Sequence, residues 1–130
     1  MVIDTSALIA ILTDESDAER NESAIAADPV RLISAATLLE ASLVIEARLG
    51  EEAGRELDLL LHKARVEILS VDENQLEIAR DAFRRFGKGR HRAGLNYGDC
   101  FSYAASVARG EPLLFKGDDF ARTDVTAVLR

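Results

Sequence analysis

Five acidic side chains in this sequence are set apart by what surrounds them. Asp4 directly follows the apolar run MVI, and Glu40 interrupts the apolar stretch ATLLEASLVIEARL. Asp99 lies in LNYGDCFSYA, while Asp118 and Asp119 follow PLLFKG. Carboxylates gathered at one place repel and raise one another's pKa, so such a cluster is sensible only around a cation. An all-oxygen donor set favours Mg²⁺ or Mn²⁺ over zinc, which prefers nitrogen and sulfur. A divalent ion with few protein ligands keeps water and can clamp the oxygens of a phosphodiester.

Each acid also has a purely structural explanation. Asp4 could cap the helix that follows it. With Asn96 as N-cap, Asp99 falls at the third helical position, where an acid suits the positive helix end. Glu40 is harder to explain structurally: its helical neighbours are Ala36, Thr37, Leu43 and Val44, a face expected to be at least partly buried. An unpaired carboxylate there is costly unless a cation or an arginine meets it. One of Asp118 and Asp119 is expected at the surface or at a cap, and Asp124 could join the group. Cys100, beside Asp99, is expected to be a small buried side chain, and Tyr97 and Tyr103 are expected to pack. His62 is expected to be exposed, and His91 could contact phosphate.

The elements that would bring the acids together alternate between strand and helix. MVI, VRLI, VEIL and PLLF read as short strands, with a last one in TDVTAVL. Helical sequence covers about 5–12, 15–27, 35–49, 51–64, 72–86 and 96–109. Ser34 and Asp72 stand as N-caps, and Gly50 and Gly110 as C-terminal stops. Continuously apolar strands separated by helices predict a buried, mainly parallel sheet with helices on both faces. Ligands bind beyond the carboxyl ends of strands in such sheets. Asp4 and the KGDDF acids should therefore share one edge.

The 130 residues contain 48% hydrophobic and 30% charged residues, which suits a single folded domain over 1–130. No apolar run reaches the roughly 18 residues of a membrane span. Absence of a basic, apolar leader and a lone cysteine suit a reducing cytoplasm. A net charge of −7 argues against a general nucleic-acid binder, but the charge is uneven. RRFGKGRHR, at 84–92, holds five of the sixteen Lys and Arg residues: Arg84, Arg85, Lys88, Arg90 and Arg92. These are the candidates for gripping RNA phosphates, and the tract also reads as a solvated helix end.

VIDTSAL, the helical Glu40, LNYGDCFSYA and PLLFKGDDFARTDV, in that order and across essentially the whole chain, resemble a PIN-domain ribonuclease. More narrowly, they are similar to the VapC-type toxins of bacterial toxin–antitoxin pairs. The resemblance implies a three-layer α/β/α sandwich and an endoribonuclease, dependent on Mg²⁺ or Mn²⁺, that cuts structured RNA of the tRNA or rRNA class. It implies that Asp4 and Asp99 hold the metal, supported by Glu40 and by Asp118 or Asp119, with the weight on Asp118. Ser6 matches a hydroxyl residue near the site. Gly117 departs from the pattern, since many relatives carry Asp or Asn directly after the position of Lys116. A VapB-type antitoxin and a homodimer are the partners the resemblance implies.

Two readings compete. A receiver-type signalling domain also combines a parallel sheet with Mg²⁺, and would use Asp72 as phosphoacceptor and Lys116 beside it. It assigns no task to Glu40. A PIN module that binds RNA or protein without cutting would retain the fold and lose the chemistry.

Overall fold

The computed structural model describes residues 1–129. Four short strands form one parallel sheet in the order β3-β2-β1-β4. They are β1 (Val2–Ile3), β2 (Leu32–Ser34), β3 (Glu67–Leu69) and β4 (Leu113–Leu114). Val2 pairs with Leu32 on one side and Leu113 on the other, so β1 lies at the centre. Among the described residues, six helices surround the sheet: α1 (Thr5–Leu12), α2 (Ala18–Ala27), α3 (Ala35–Leu49), α4 (Glu51–Lys63), α5 (Glu73–Phe86) and α6 (Tyr97–Arg109). A 3₁₀ turn, Phe120–Arg122, follows β4.

Side-chain alternation along the strands creates two cores. Val2, Leu32, Leu69 and Leu113 pack with Ala79, Ala82, Tyr103 and Ala104 of α5 and α6. Ile3, Ile33 and Leu114 face the other way, against Leu8, Ile25, Leu57 and Leu61 of α1, α2 and α4. Both faces of the sheet are therefore buried along β1 and β4, which accounts for their being apolar at every position. The edge strand β3 instead exposes Glu67 and Ile68. The result is the expected α/β/α sandwich with a parallel sheet.

The boundaries differ locally from the sequence expectation. Val30 lies outside β2, and the second helix starts at Ala18 rather than near residue 15. The expected last strand is reduced to one bridge: Ala127 pairs parallel to Leu113, with Leu113 N–H donating to Thr126 and Val128 N–H donating back. Ser34 occupies the N-cap of α3 without making a side-chain cap bond, and its buried hydroxyl has no partner among the described residues. Asp72 does cap α5, accepting from Gln75 N–H at 2.8 Å. Gly110 ends α6 at φ +63°, in the left-handed region where glycine escapes the Cβ penalty. No helix among the described residues is long and apolar enough to cross a membrane.

Candidate active site

β1 ends at Ile3 and delivers Asp4 to the first turn of α1. The capping reading of this residue holds. As N-cap, its Oδ2 accepts from Ser6 N–H at 3.0 Å, and its side chain is only 4% exposed. Ser6 Oγ also donates to Oδ2, at 2.6 Å, while Ser102 Oγ on α6 donates to Oδ1 at 2.6 Å. Ser6 Oγ in turn accepts the backbone N–H of Lys116, at 2.9 Å. The exit of β4 is thereby tied to the start of α1.

Glu40 projects from α3 and is half-buried, as its apolar neighbours predict. Thr5 Oγ1 donates to Oε1 at 2.7 Å. Oε2 lies against Gly98 at the start of α6, so closely that a Cβ on residue 98 would overlap it. A side chain on residue 98 would have to displace the Glu40 carboxylate, and the φ of Gly98 is unexceptional. Glu40 thus bridges α1 and α6 from the helix between them.

Asp99 completes a reciprocal capping box on α6. Its N–H donates to Asn96 Oδ1 at 2.9 Å, and Asn96 N–H donates to Asp99 Oδ2 at 3.0 Å. Burial pushes its carboxyl up to about 6, and the charges of Asp4, Asp119 and Glu40 add to the shift, against the stabilising Asn96 N–H. Acids from three other segments therefore act on Asp99. Asp118 and Asp119 are both exposed in the loop after Gly117, which adopts φ +100°. Asp119 faces Asp99 electrostatically, whereas Asp118 lines a neighbouring groove with Asp17, Arg20, Asn21 and Lys116.

Among the described residues, no three His, Cys, Asp or Glu side chains converge tightly enough to ligate an ion by themselves. The donor chemistry nevertheless suits a hard divalent cation. All the donors are carboxylate oxygens, the charges of Asp4, Asp119 and Glu40 disfavour ionisation of Asp99, and a Mg²⁺ site needs only one or two carboxylates with water filling the rest. Cys100 is no competitor: burial and the Asp99 charge push its thiol up to about 11, and its Sγ donates to Asn96 O.

The basic tract sits next to these acids. Lys88 N–H donates to Leu95 O and Leu95 N–H to Phe86 O, closing residues 87–95 into a loop that ends one residue before Asn96. Arg122 Nη1 reaches Arg92 O at 3.4 Å, linking the loop to the turn after Asp119. Arg84, Lys88, Arg90 and Arg92 are exposed. Arg85 is differently engaged, with Asp124 at 2.9 Å and Asp81 at 3.3 Å. His91 shapes the loop, accepting Ala93 N–H at Nδ1 and meeting Phe86 edge-on. His62 is exposed on α4.

Tyr103 packs as expected and donates to Asp124 Oδ1 at 2.6 Å. Tyr97 departs from expectation, being 81% exposed with only an edge contact to Phe101. Sequence reasoning missed Thr5, Thr37, Gly98 and Ser102. The local signal was indirect: Thr37 lies three residues before Glu40 and Ser102 three after Asp99, yet these hydroxyls bond each other and Asp4.

The PIN domain profile matches residues 1–125. The chain belongs to the PIN-domain family. Within it, the relatives are VapC-type ribonucleases. A Ribonuclease VapC from Mycolicibacterium smegmatis is 65% identical over 128 residues, covering 98% of this chain and 99% of that protein. Ribonuclease VapC30 from Mycobacterium tuberculosis is 62% identical over 128 residues, covering 98% of both. In fold, the chain is similar to the sarcin-ricin loop cleaving toxin VapC20 of M. tuberculosis, with a TM-score of 0.79 at 18% identity over 96% of this chain and 95% of that one. VapBC2 from Rickettsia felis, solved with a promoter DNA fragment, gives 0.70 at 17% identity, covering 97% and 94%. This VapC-type PIN protein is a metal-dependent endoribonuclease of the toxin class. The receiver reading falls with that assignment, and Asp72 serves as a helix cap.

Proposed function

We propose that this VapC-type protein hydrolyses phosphodiester bonds in structured RNA of the tRNA or rRNA class, with Mg²⁺ or Mn²⁺ held by Asp4 and Asp99. Glu40 and a fourth acid after β4 support the site. The observation that carries this reading is the convergence on Asp99 of charge from Asp4, Asp119 and Glu40. It moves the weight for the fourth acid from Asp118 to Asp119. A bound divalent cation supplies Lewis acidity toward phosphate oxygens and water. The chain's own side chains supply aim: Ser6, Ser102 and Thr5 fix the carboxylates, and Lys88, Arg90, Arg92 and Arg84 attract the RNA backbone from the adjoining loop.

A VapB-type antitoxin, a homodimer and a cytoplasmic setting accompany this function. Leu39 and Leu43, well exposed on α3, offer apolar surface suited to protein contacts. The function is tested by inducing wild type or Asp4→Asn in cells and mapping RNA 5′ ends. New ends in one structured RNA, present only with wild type, are expected. The same ends with both proteins would contradict the proposal, as would RNA binding without cleavage in Mn²⁺.

A further inference from the structure

We propose that Thr37 and Ser102 form a buried hydroxyl relay that aims Asp4, which makes Ser102 a positioning residue for the nuclease reaction. The proposal rests on the reading of Asp4 as a metal ligand.

Ser102 is 0% exposed and Thr37 1% exposed, and their hydroxyls stand 3.1 Å apart. The distance alone leaves the donor open, but Asp4 settles it. A carboxylate offers only acceptors, so Ser102 must spend its one proton on Oδ1, at 2.6 Å. Thr37 Oγ1 must then donate to Ser102. The chain runs Thr37 to Ser102 to Asp4, crossing from α3 through α6 to the end of β1.

Satisfying a buried serine does not require this arrangement. A helical serine can bond the carbonyl one turn back, as Ser42 does with Leu38 O at 2.8 Å. Ser102 instead reaches a residue 98 positions away in sequence. The bond is short, as expected for a hydroxyl facing a carboxylate, and the second donor behind it strengthens it.

The consequence lies in which lone pair of Asp4 stays open. A carboxylate has about four acceptor sites. On Oδ2, Ser6 N–H and Ser6 Oγ take both, while on Oδ1 Ser102 takes one. The remaining site is on the oxygen that Ser102 holds. Aim at a cation is therefore set by the relay, and the Ser6 side fixes the opposite oxygen.

The test is Mn²⁺ binding to the metal-free protein, read from the EPR signal of free Mn²⁺, beside single-turnover RNA cleavage. Ser102→Ala should weaken Mn²⁺ binding about tenfold, the low end of what outer partners of metal ligands contribute. Thr37→Val, which leaves Ser102 in place, should weaken it by a smaller factor. The double variant should be no worse than Ser102→Ala, because Thr37 acts through Ser102. Ser42→Ala serves as the control and should bind like wild type. Equal, independent losses from the two single variants would show a packing role and overturn the relay. So would native-like binding in a folded Ser102→Ala; should that variant not fold, native-like binding in Thr37→Val decides against it. Asp4→Asn separates the two levels: if it binds Mn²⁺ as wild type does, the metal reading and the relay fall together. If it alone loses binding, only the relay falls.

Discussion

The Glu40 carboxylate occupies the space that a side chain on residue 98 would need: a Cβ built on Gly98 would overlap Oε2. Glu40 and Gly98 therefore form one unit, with Thr5 Oγ1 pinning the other oxygen at 2.7 Å. In an exposed helix, Gly→Ala stabilises by up to about 1 kcal/mol. Gly98→Ala is expected to gain no such stability, because the methyl must push the carboxylate aside. Displacement of a site carboxylate by about 1 Å costs on the order of 100-fold in rate. Single-turnover cleavage of a structured RNA, with circular dichroism as the folding control, checks this. Wild-type rates in folded Gly98→Ala would show that cleavage does not depend on this placement of Glu40.

Asp99 gives the metal-free protein a pH signature. Its folded carboxyl is raised to about 6 from an ordinary 3.8. The unfolded chain therefore loses its proton first as pH rises. Stability should fall between about pH 4 and 6 and be flat above, by on the order of 1–2 kcal/mol after solvent screening. Urea melts from pH 3.5 to 7 in chelator should show this slope, and Asp99→Asn should lack it.

The opposite sign is expected at Asp124. Burial raises its carboxyl, but hydrogen bonds from Tyr103 and Arg85 outweigh that and hold it below 3.8. Its contribution is complete above the unfolded value and is lost as pH falls through the lower folded one. Because the group is exposed, the effect should stay under about 1 kcal/mol. Acid melts of Asp124→Asn against wild type, below pH 4, measure it.

The two acids after β4 should separate. Asp119→Asn is expected to reduce cleavage by at least about tenfold, since its charge acts on Asp99, and Asp118→Asn by less. Parallel kinetics at saturating Mn²⁺ distinguish them, and a larger loss at Asp118 would restore the first choice.

The basic loop should act on binding and leave chemistry alone. Replacing Lys88, Arg90 and Arg92 by Ala should weaken RNA binding and lower the salt slope by about 0.7–0.9 per lost phosphate contact. Arg85→Ala should behave differently, lowering stability through its Asp124 and Asp81 pairs with little change in the slope. Filter binding across a salt series, with thermal melts, tests both statements.

Much of this site was legible from the chain because strand order carries it. An acid after the first strand and acids after the last must meet on one edge when β1 and β4 pair in parallel, as Val2 and Leu113 do. The capping box of Asp99 was legible because caps are local in sequence. What was hidden is contact between distant segments. Neither Gly98 nor Ser102 carries a local mark of its partner, since each meets an acid more than 50 positions away. Asp118 and Asp119 are adjacent, so only the path of the chain through Gly117 at φ +100° and into the 3₁₀ turn distinguishes them. Tyr97 was expected to pack by its apolar ring, but the first turn of α6 presents it outward.

The central claim is that Asp4 and Asp99 together hold the divalent ion that the ribonuclease needs. The most direct measurement is RNA cleavage by wild type, Asp4→Asn and Asp99→Asn across a Mn²⁺ titration, with fold confirmed for each. The account predicts metal-dependent cleavage by wild type and loss of at least about 100-fold in both variants at every Mn²⁺ concentration. Full activity in both variants would contradict it.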